Sequence, residues 1–91
     1  MTRTVFLRIT GKVQGVFYRA TALTVARELG LRGWVRNNPD GSVESLASGD
    51  EAKVEAFITW CRRGPEEAIV DEVIVENTTT VVDDASFRIL R

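Results

Sequence analysis

The residues best suited to chemistry stand together near the start of the sequence, in the stretch Gly11-Lys12-Val13-Gln14-Gly15-Val16-Phe17-Tyr18-Arg19, with Asn37 a further candidate beyond it. The stretch joins a strand to a helix. Its two glycines permit unusual dihedrals and a close approach of backbone to ligand. A helix start leaves several N–H groups without internal partners, with the positive end of the helix dipole behind them. Main-chain donors so arranged form an anion cradle. Arg19 falls in the first helical turn, and its planar, permanently charged fork can bond two phosphate oxygens at once.

Taken by spacing alone, the stretch is equally a plain strand–helix connection with two glycines and a surface arginine. It lacks the Gly-Lys-Ser/Thr ending of a Walker A loop and the three spaced glycines of a dinucleotide fold. Asn37, read alone, is more readily a turn residue tolerant of left-handed backbone than a functional one. Asn38 suits that turn role better and leaves Asn37 free.

Elements must position these residues. Val5, Leu7 and Ile9 alternate with Phe6, Arg8 and Thr10, which predicts a strand over Thr4–Thr10. Ala22, Val25, Ala26 and Leu29 share one helical face, which predicts a helix over Arg19–Leu29 stopped by Gly30. Trp34–Asn37 reads as a second strand, Asn38-Pro39-Asp40-Gly41 as a tight turn, and Ser42–Ala47 as a weakly alternating antiparallel partner. Ser48 and Asp50 are candidate N-caps of a second helix with the apolar stripe Val54, Phe57, Ile58, Cys61, closed by Arg62-Arg63-Gly64-Pro65. Ile69–Glu76 and the short Phe87–Leu90 are further strands. The order β-α-β-β-α-β plus a terminal strand predicts an α+β, ferredoxin-like split βαβ sandwich, a mostly antiparallel sheet with two helices on one face. Right-handed crossovers complete that expectation. Such a fold hosts many activities and names none of them.

Composition narrows the classes. Ninety-one residues with 44% apolar content predict one domain, residues 1–91. A net charge of −1 argues against nucleic acid as the main partner, because phosphate backbones are held by a basic surplus. No apolar run suggests a signal or a membrane helix. One cysteine, Cys61, excludes an internal disulfide and fits a reducing, cytoplasmic setting. Its place on the apolar stripe predicts a packing thiol rather than a nucleophile. With no histidine in the chain, histidine bases, phosphohistidine and the commonest metal ligand are all removed. Asp71, Glu72, Asp83 and Asp84 lack the order of a calcium loop. Lys12 and Arg36 read as solvated surface, Trp34 as structural, and Trp60 as packing at the edge of the core. Tyr18 reads as packing, whereas Phe17 either lines a pocket or staples the helix start.

The stretch from Gly11 to Arg19 resembles the first acylphosphatase signature, Gly-x-Val-Gln-Gly-Val-x-aromatic-Arg, at every fixed position. Gly33-Trp34-Val35-Arg36-Asn37, then Gly41-Ser42-Val43-Glu44 and Gly49, resemble the second. The two stand in the family's order and spacing, and the likeness covers Thr4 to Leu90. It implies a hydrolase that cleaves the carboxyl–phosphate bond of small acyl phosphates. It also implies that Arg19 and the amides of Gln14, Gly15, Val16, Phe17, Tyr18 and Arg19 bind the phosphate, that Asn37 orients the attacking water, and that no metal, organic cofactor or phosphoenzyme is used.

The chemistry is consistent with those residues. A carboxylate leaves unprotonated, since its acid has a pKa of about 4. A loose phosphoryl transition state needs mainly charge stabilisation and in-line positioning. A neutral amide suits the water's side, where a carboxylate would repel the phosphate. The pairing requires Asn37 and the loop to face one another and fails if Asn37 points into the helix-covered core. Two weaker expectations are a bond from Ser42 near Asn37 and the carboxylate of Arg91 near Arg19. The expected partners are a small acyl phosphate and phosphate, with no nucleic acid or membrane, and the default state is a monomer. The competing readings are a non-catalytic phosphate or anion sensor, an RNA binder of the same fold, and a domain serving a larger carbamoyl-transfer enzyme. The shortness of the chain counts against the last.

Overall fold

A computed structural model describes residues 1–90. Its elements run β1 (Thr2–Lys12), α1 (Tyr18–Glu28), β2 (Arg32–Asn37), β3 (Val43–Asp50), α2 (Glu51–Arg63), β4 (Ile69–Asn77) and β5 (Phe87–Ile89). The strands form one five-stranded sheet in the order β4-β1-β3-β2-β5. The β1–β3, β1–β4 and β2–β3 pairs are antiparallel, and β2–β5 is parallel. This is the split βαβ sandwich expected from the alternation and stripes, with β5 added at one edge.

The pleat explains the core. Val5, Leu7 and Ile9 stand opposite Ala47, Ser45 and Val43 in register, so all six face the same side. Against that side lie Ala22 and Ala26 of α1 and Val54, Phe57, Ile58 and Cys61 of α2. Trp60, expected at the core edge, belongs to the core itself: it lies against Tyr18 at 5.1 Å and Phe57 at 6.2 Å between ring centroids. The weak alternation of β3 has a physical cause. Leu46 on its other face is also buried, beside Phe6 and Trp34 in the register. Ser45 and Ser48 tolerate burial because Ser45 Oγ donates to the Trp34 carbonyl and Ser48 shares a hydrogen bond with Thr4.

Two local expectations are corrected. Ser48 does not cap α2, because β3 runs on through it, and Asp50 accepts the Ala52 N–H instead. Gly11 does not belong to the connecting loop. It lies in β1 at a bulge after Thr10, with φ of 118°, and a Cβ there would stand 2.2 Å from the Ile69 carbonyl oxygen. Gly11 therefore admits the backbone of β4, not a ligand. Gly15, at φ of 77° with nothing near a would-be Cβ, keeps the loop role.

The two glycines should respond differently to alanine. Gly15→Ala carries only the left-handed backbone penalty, about 1–2 kcal/mol. Gly11→Ala adds a backbone clash across two strands and should cost more, at least about 2 kcal/mol. Urea unfolding of both variants checks this, and equal losses would refute the assignment of Gly11 to strand packing.

Candidate active site

α1 begins without the usual means of closing a helix. Its N-cap is Phe17, whose side chain makes no capping bond, and no acidic residue stands in the first turn. The first main-chain bond into the helix from this end runs from the Thr21 N–H to the Phe17 carbonyl. Among the described residues, the N–H groups of Gln14 through Ala20 donate to no protein acceptor. Gly15 and Phe17 have left-handed backbones (φ 77° and 63°) while Val16 between them does not. Alternating handedness of this kind turns successive N–H groups toward a common side.

That side is a cleft of about 570 Å³ lined by Val13, Gln14, Gly15, Phe17, Tyr18, Arg19, Ala20, Asn37 and Ile89. Every candidate named from the sequence is at this cleft except Val16, whose side chain is buried in the core and which can offer only its amide. Arg19 stands in the first turn of α1, half-buried. No salt bridge among the described residues involves it. Arg36, by contrast, pairs with Glu44 and lies over the Trp34 ring, and Arg8 pairs with Asp40. The lining includes no carboxylate among the described residues.

Asn37 ends β2 opposite Val43, at the brink of the turn. Alternation puts it on the same face as Gly33 and Val35, the side that the helices cover. It lies past the last buried residue of the strand and lines the cleft rather than packing into the core. Its Oδ1 is buried and accepts no hydrogen bond among the described residues. A buried polar atom left in this state calls for a functional explanation.

Gln14 supplies what the sequence reading missed. Its Nε2 donates to the carbonyls of Asn38 (2.8 Å) and Ser42 (2.9 Å), tying the loop to the β2–β3 turn. The turn is braced in itself. Asn38 donates to Ser42 Oγ, and Ser42 donates from both N–H and Oγ to Asp40. Ser42 thus bonds Asn38 and Asp40, not Asn37. These bonds join residues far apart in the chain, and no local pattern signals them. Ser42 also lowers the Asp40 pKa, first through its hydroxyl and then through its amide, with Arg8 adding a smaller pull.

Tyr18 and Cys61 are silent at neutral pH. Tyr18 is buried, its hydroxyl donating to the Cys61 carbonyl at 2.8 Å. Burial first, and then the Cys61 thiol, raise its pKa far above the ordinary phenol value. Burial likewise pushes the Cys61 thiol up to about 12, against smaller lowering effects from Tyr18 and Arg62. Cys61 is therefore a packing residue. No group of three or more metal-ligating side chains occurs among the described residues, and no helix there is long and apolar enough to cross a membrane. The carboxylate of Arg91 lies outside the described residues.

A family model described as acylphosphatase matches residues 5–89. The acylphosphatase of Marinobacter nauticus is 50% identical over 82 residues, which are 90% of this chain and 89% of that one. Among solved structures, the acylphosphatase of Coxiella burnetii superposes with a TM-score of 0.89 at 37% identity, covering 98% of this chain and 93% of that one. That of Bacillus subtilis superposes with a TM-score of 0.93 at 30% identity over 100% of both.

Removing the tie from the loop to the turn should be measurable. Gln14→Met keeps the volume and deletes two hydrogen bonds, so stability should fall by about 1–2 kcal/mol in urea unfolding. A change within error would show that Gln14 is not a brace. The Asp40 shift has a definite sign as well. Its pKa is lowered in the fold, so its stabilisation is complete above the ordinary carboxyl value and is lost only as pH falls through the lower, folded one. The NMR shift of the Ser42 amide proton should therefore titrate with a midpoint below about 3.9. A midpoint at or above that value would contradict the bonded turn.

Proposed function

Because this chain belongs to the acylphosphatase family, and so hydrolyses the carboxyl–phosphate bond of small acyl phosphates, we propose that Arg19 holds the phosphate and Asn37 places the attacking water. The supporting observation is one cleft lined by Arg19, by the loop whose amides from Gln14 to Arg19 have no protein acceptor, and by Asn37, whose Oδ1 has no partner among the described residues. The amides of Gln14, Gly15, Val16, Phe17, Tyr18 and Arg19 grip the phosphate oxygens, the dipole of α1 behind them. The Arg19 fork neutralises the charge that spreads over the equatorial oxygens as the phosphoryl group loosens.

The side-chain amide of Asn37 holds a water by hydrogen bonding and turns its lone pair toward phosphorus. Water attacks in line, the bond from phosphorus to the acyl oxygen breaks, and its electron pair leaves as carboxylate. The water's proton passes to a phosphate oxygen, and inorganic phosphate remains. The leaving group needs no proton donor, because a carboxylate is a stable anion at neutral pH. The reaction as written needs no metal and no covalent intermediate. An amide is suited to the water's side because it orients without repelling the anion.

The same reading takes residues 1–91 as one domain acting as a cytoplasmic monomer on a small molecule, with neither nucleic acid nor membrane as partner. A net charge of −1, with no basic surplus, supports the absence of a nucleic-acid partner.

Phosphate release from benzoyl phosphate, with EDTA present, tests the roles. Arg19→Gln should weaken both phosphate binding and turnover. Asn37→Ala should spare phosphate inhibition while lowering kcat about 100- to 1000-fold. Wild-type rates in both variants would refute the assignment, and a parent that binds phosphate but releases none would favour an anion sensor.

A further inference from the structure

Phe17 is costly to the fold in two ways that packing does not explain. Among the described residues it alone, apart from glycines, has a positive φ (63°), a strained state for a residue with a Cβ. The residue is also 76% exposed, outside the core and without an aromatic neighbour among the described residues. It therefore does not staple the helix start. The backbone is nevertheless held firmly, since the Phe17 carbonyl accepts from both the N–H (3.0 Å) and the Oγ1 (2.9 Å) of Thr21. Strain that the surroundings keep in place clusters at functional positions.

Phe17 lines the cleft that holds Arg19 and Asn37, and its side chain is unburied there. The cleft's other apolar side chains have little surface to offer. Val13 and Tyr18 are buried in the core, Ile89 is half-buried and Ala20 is small. Phe17 is thus the one large, exposed apolar residue among those lining the cleft. An acyl phosphate presents two ends, and in-line attack points the acyl end away from the incoming water, toward the opening.

On the reading that this cleft binds acyl phosphates, we propose that Phe17 determines acyl specificity: its ring packs on the acyl group and favours aryl acyl phosphates over acetyl phosphate. Stacked or edge-on aromatic contact supplies the preference, and a methyl group is too small to gain from it.

The test compares kcat/KM for benzoyl and acetyl phosphate in the wild type, Phe17→Asn and Phe17→Tyr. Asparagine tolerates the left-handed backbone and removes the ring, and tyrosine keeps the ring. The ratio of the two substrates cancels any damage to the loop that both share. Phe17→Asn should lower the benzoyl-to-acetyl ratio about tenfold, mainly by raising KM for benzoyl phosphate, and Phe17→Tyr should preserve it. An unchanged ratio in Phe17→Asn, or an equal fall in Phe17→Tyr, would overturn the proposal. A wild-type chain that released phosphate from neither substrate would overturn both this proposal and the hydrolase reading, and the wild-type measurements alone distinguish that case.

Discussion

Backbone N–H groups withdrawn from protein acceptors set the terms for this molecule. From Gln14 to Ala20 the main chain donates to nothing within the described fold. A run of this length is sustainable only beside solvent or an anion, because burying it unsatisfied would cost several times what a typical net hydrogen bond returns. The rest of the site is arranged around that exposure. The helix start carries no acid, the cleft wall carries no carboxylate, and Arg19 is left out of the ion pairs that occupy Arg3, Arg8, Arg36 and Arg88. The local field is positive although the chain as a whole is slightly negative. A small anion is gathered by geometry rather than by bulk charge.

Holding the loop open is the work of its neighbours. Gln14 spans from the loop to the β2–β3 turn, and the Asn38–Asp40–Ser42 bonds keep that turn rigid. Asn37 sits between these two braced segments, so its position depends on both. Tyr18 anchors the other side, its ring among Trp60 and the core and its hydroxyl on the α2 backbone. The cleft is thus bounded by strand ends, a helix start and the loop before it, each fixed by contacts to a different part of the fold. Positional catalysis needs such bracing, because a misplacement of about 1 Å can cost about 100-fold in rate.

Much of this was legible in the sequence, and the rest was not, for definite reasons. Strict alternation at Val5, Leu7 and Ile9 and the stripe Val54, Phe57, Ile58, Cys61 reveal their elements because each has one buried face. The pattern of β3 is blurred because Leu46, on the face away from the helices, is also buried beside Phe6 and Trp34. Gly11 and Gly15 look alike in sequence, and only the approach of β4 separates a packing glycine from a loop glycine. The parallel docking of β5 on β2, which brings Ile89 to the cleft, depends on a crossing of the sheet that no local signal records. Phe17 in a left-handed state runs against ordinary preference, so its unusual geometry is visible only in coordinates. The tie made by Gln14 is a contact between distant segments and has no period to detect.

Cys61 carries one more consequence. Its thiol is 1% exposed and its ionisation is pushed up to about 12, so the folded molecule presents almost no thiolate to an electrophile. Alkylating reagents and mild oxidants can reach it only when α2 lifts from the sheet. As the single cysteine of the chain, it makes the rate of covalent labelling a direct record of how often the core opens, a built-in clock for breathing motions at the centre of the molecule.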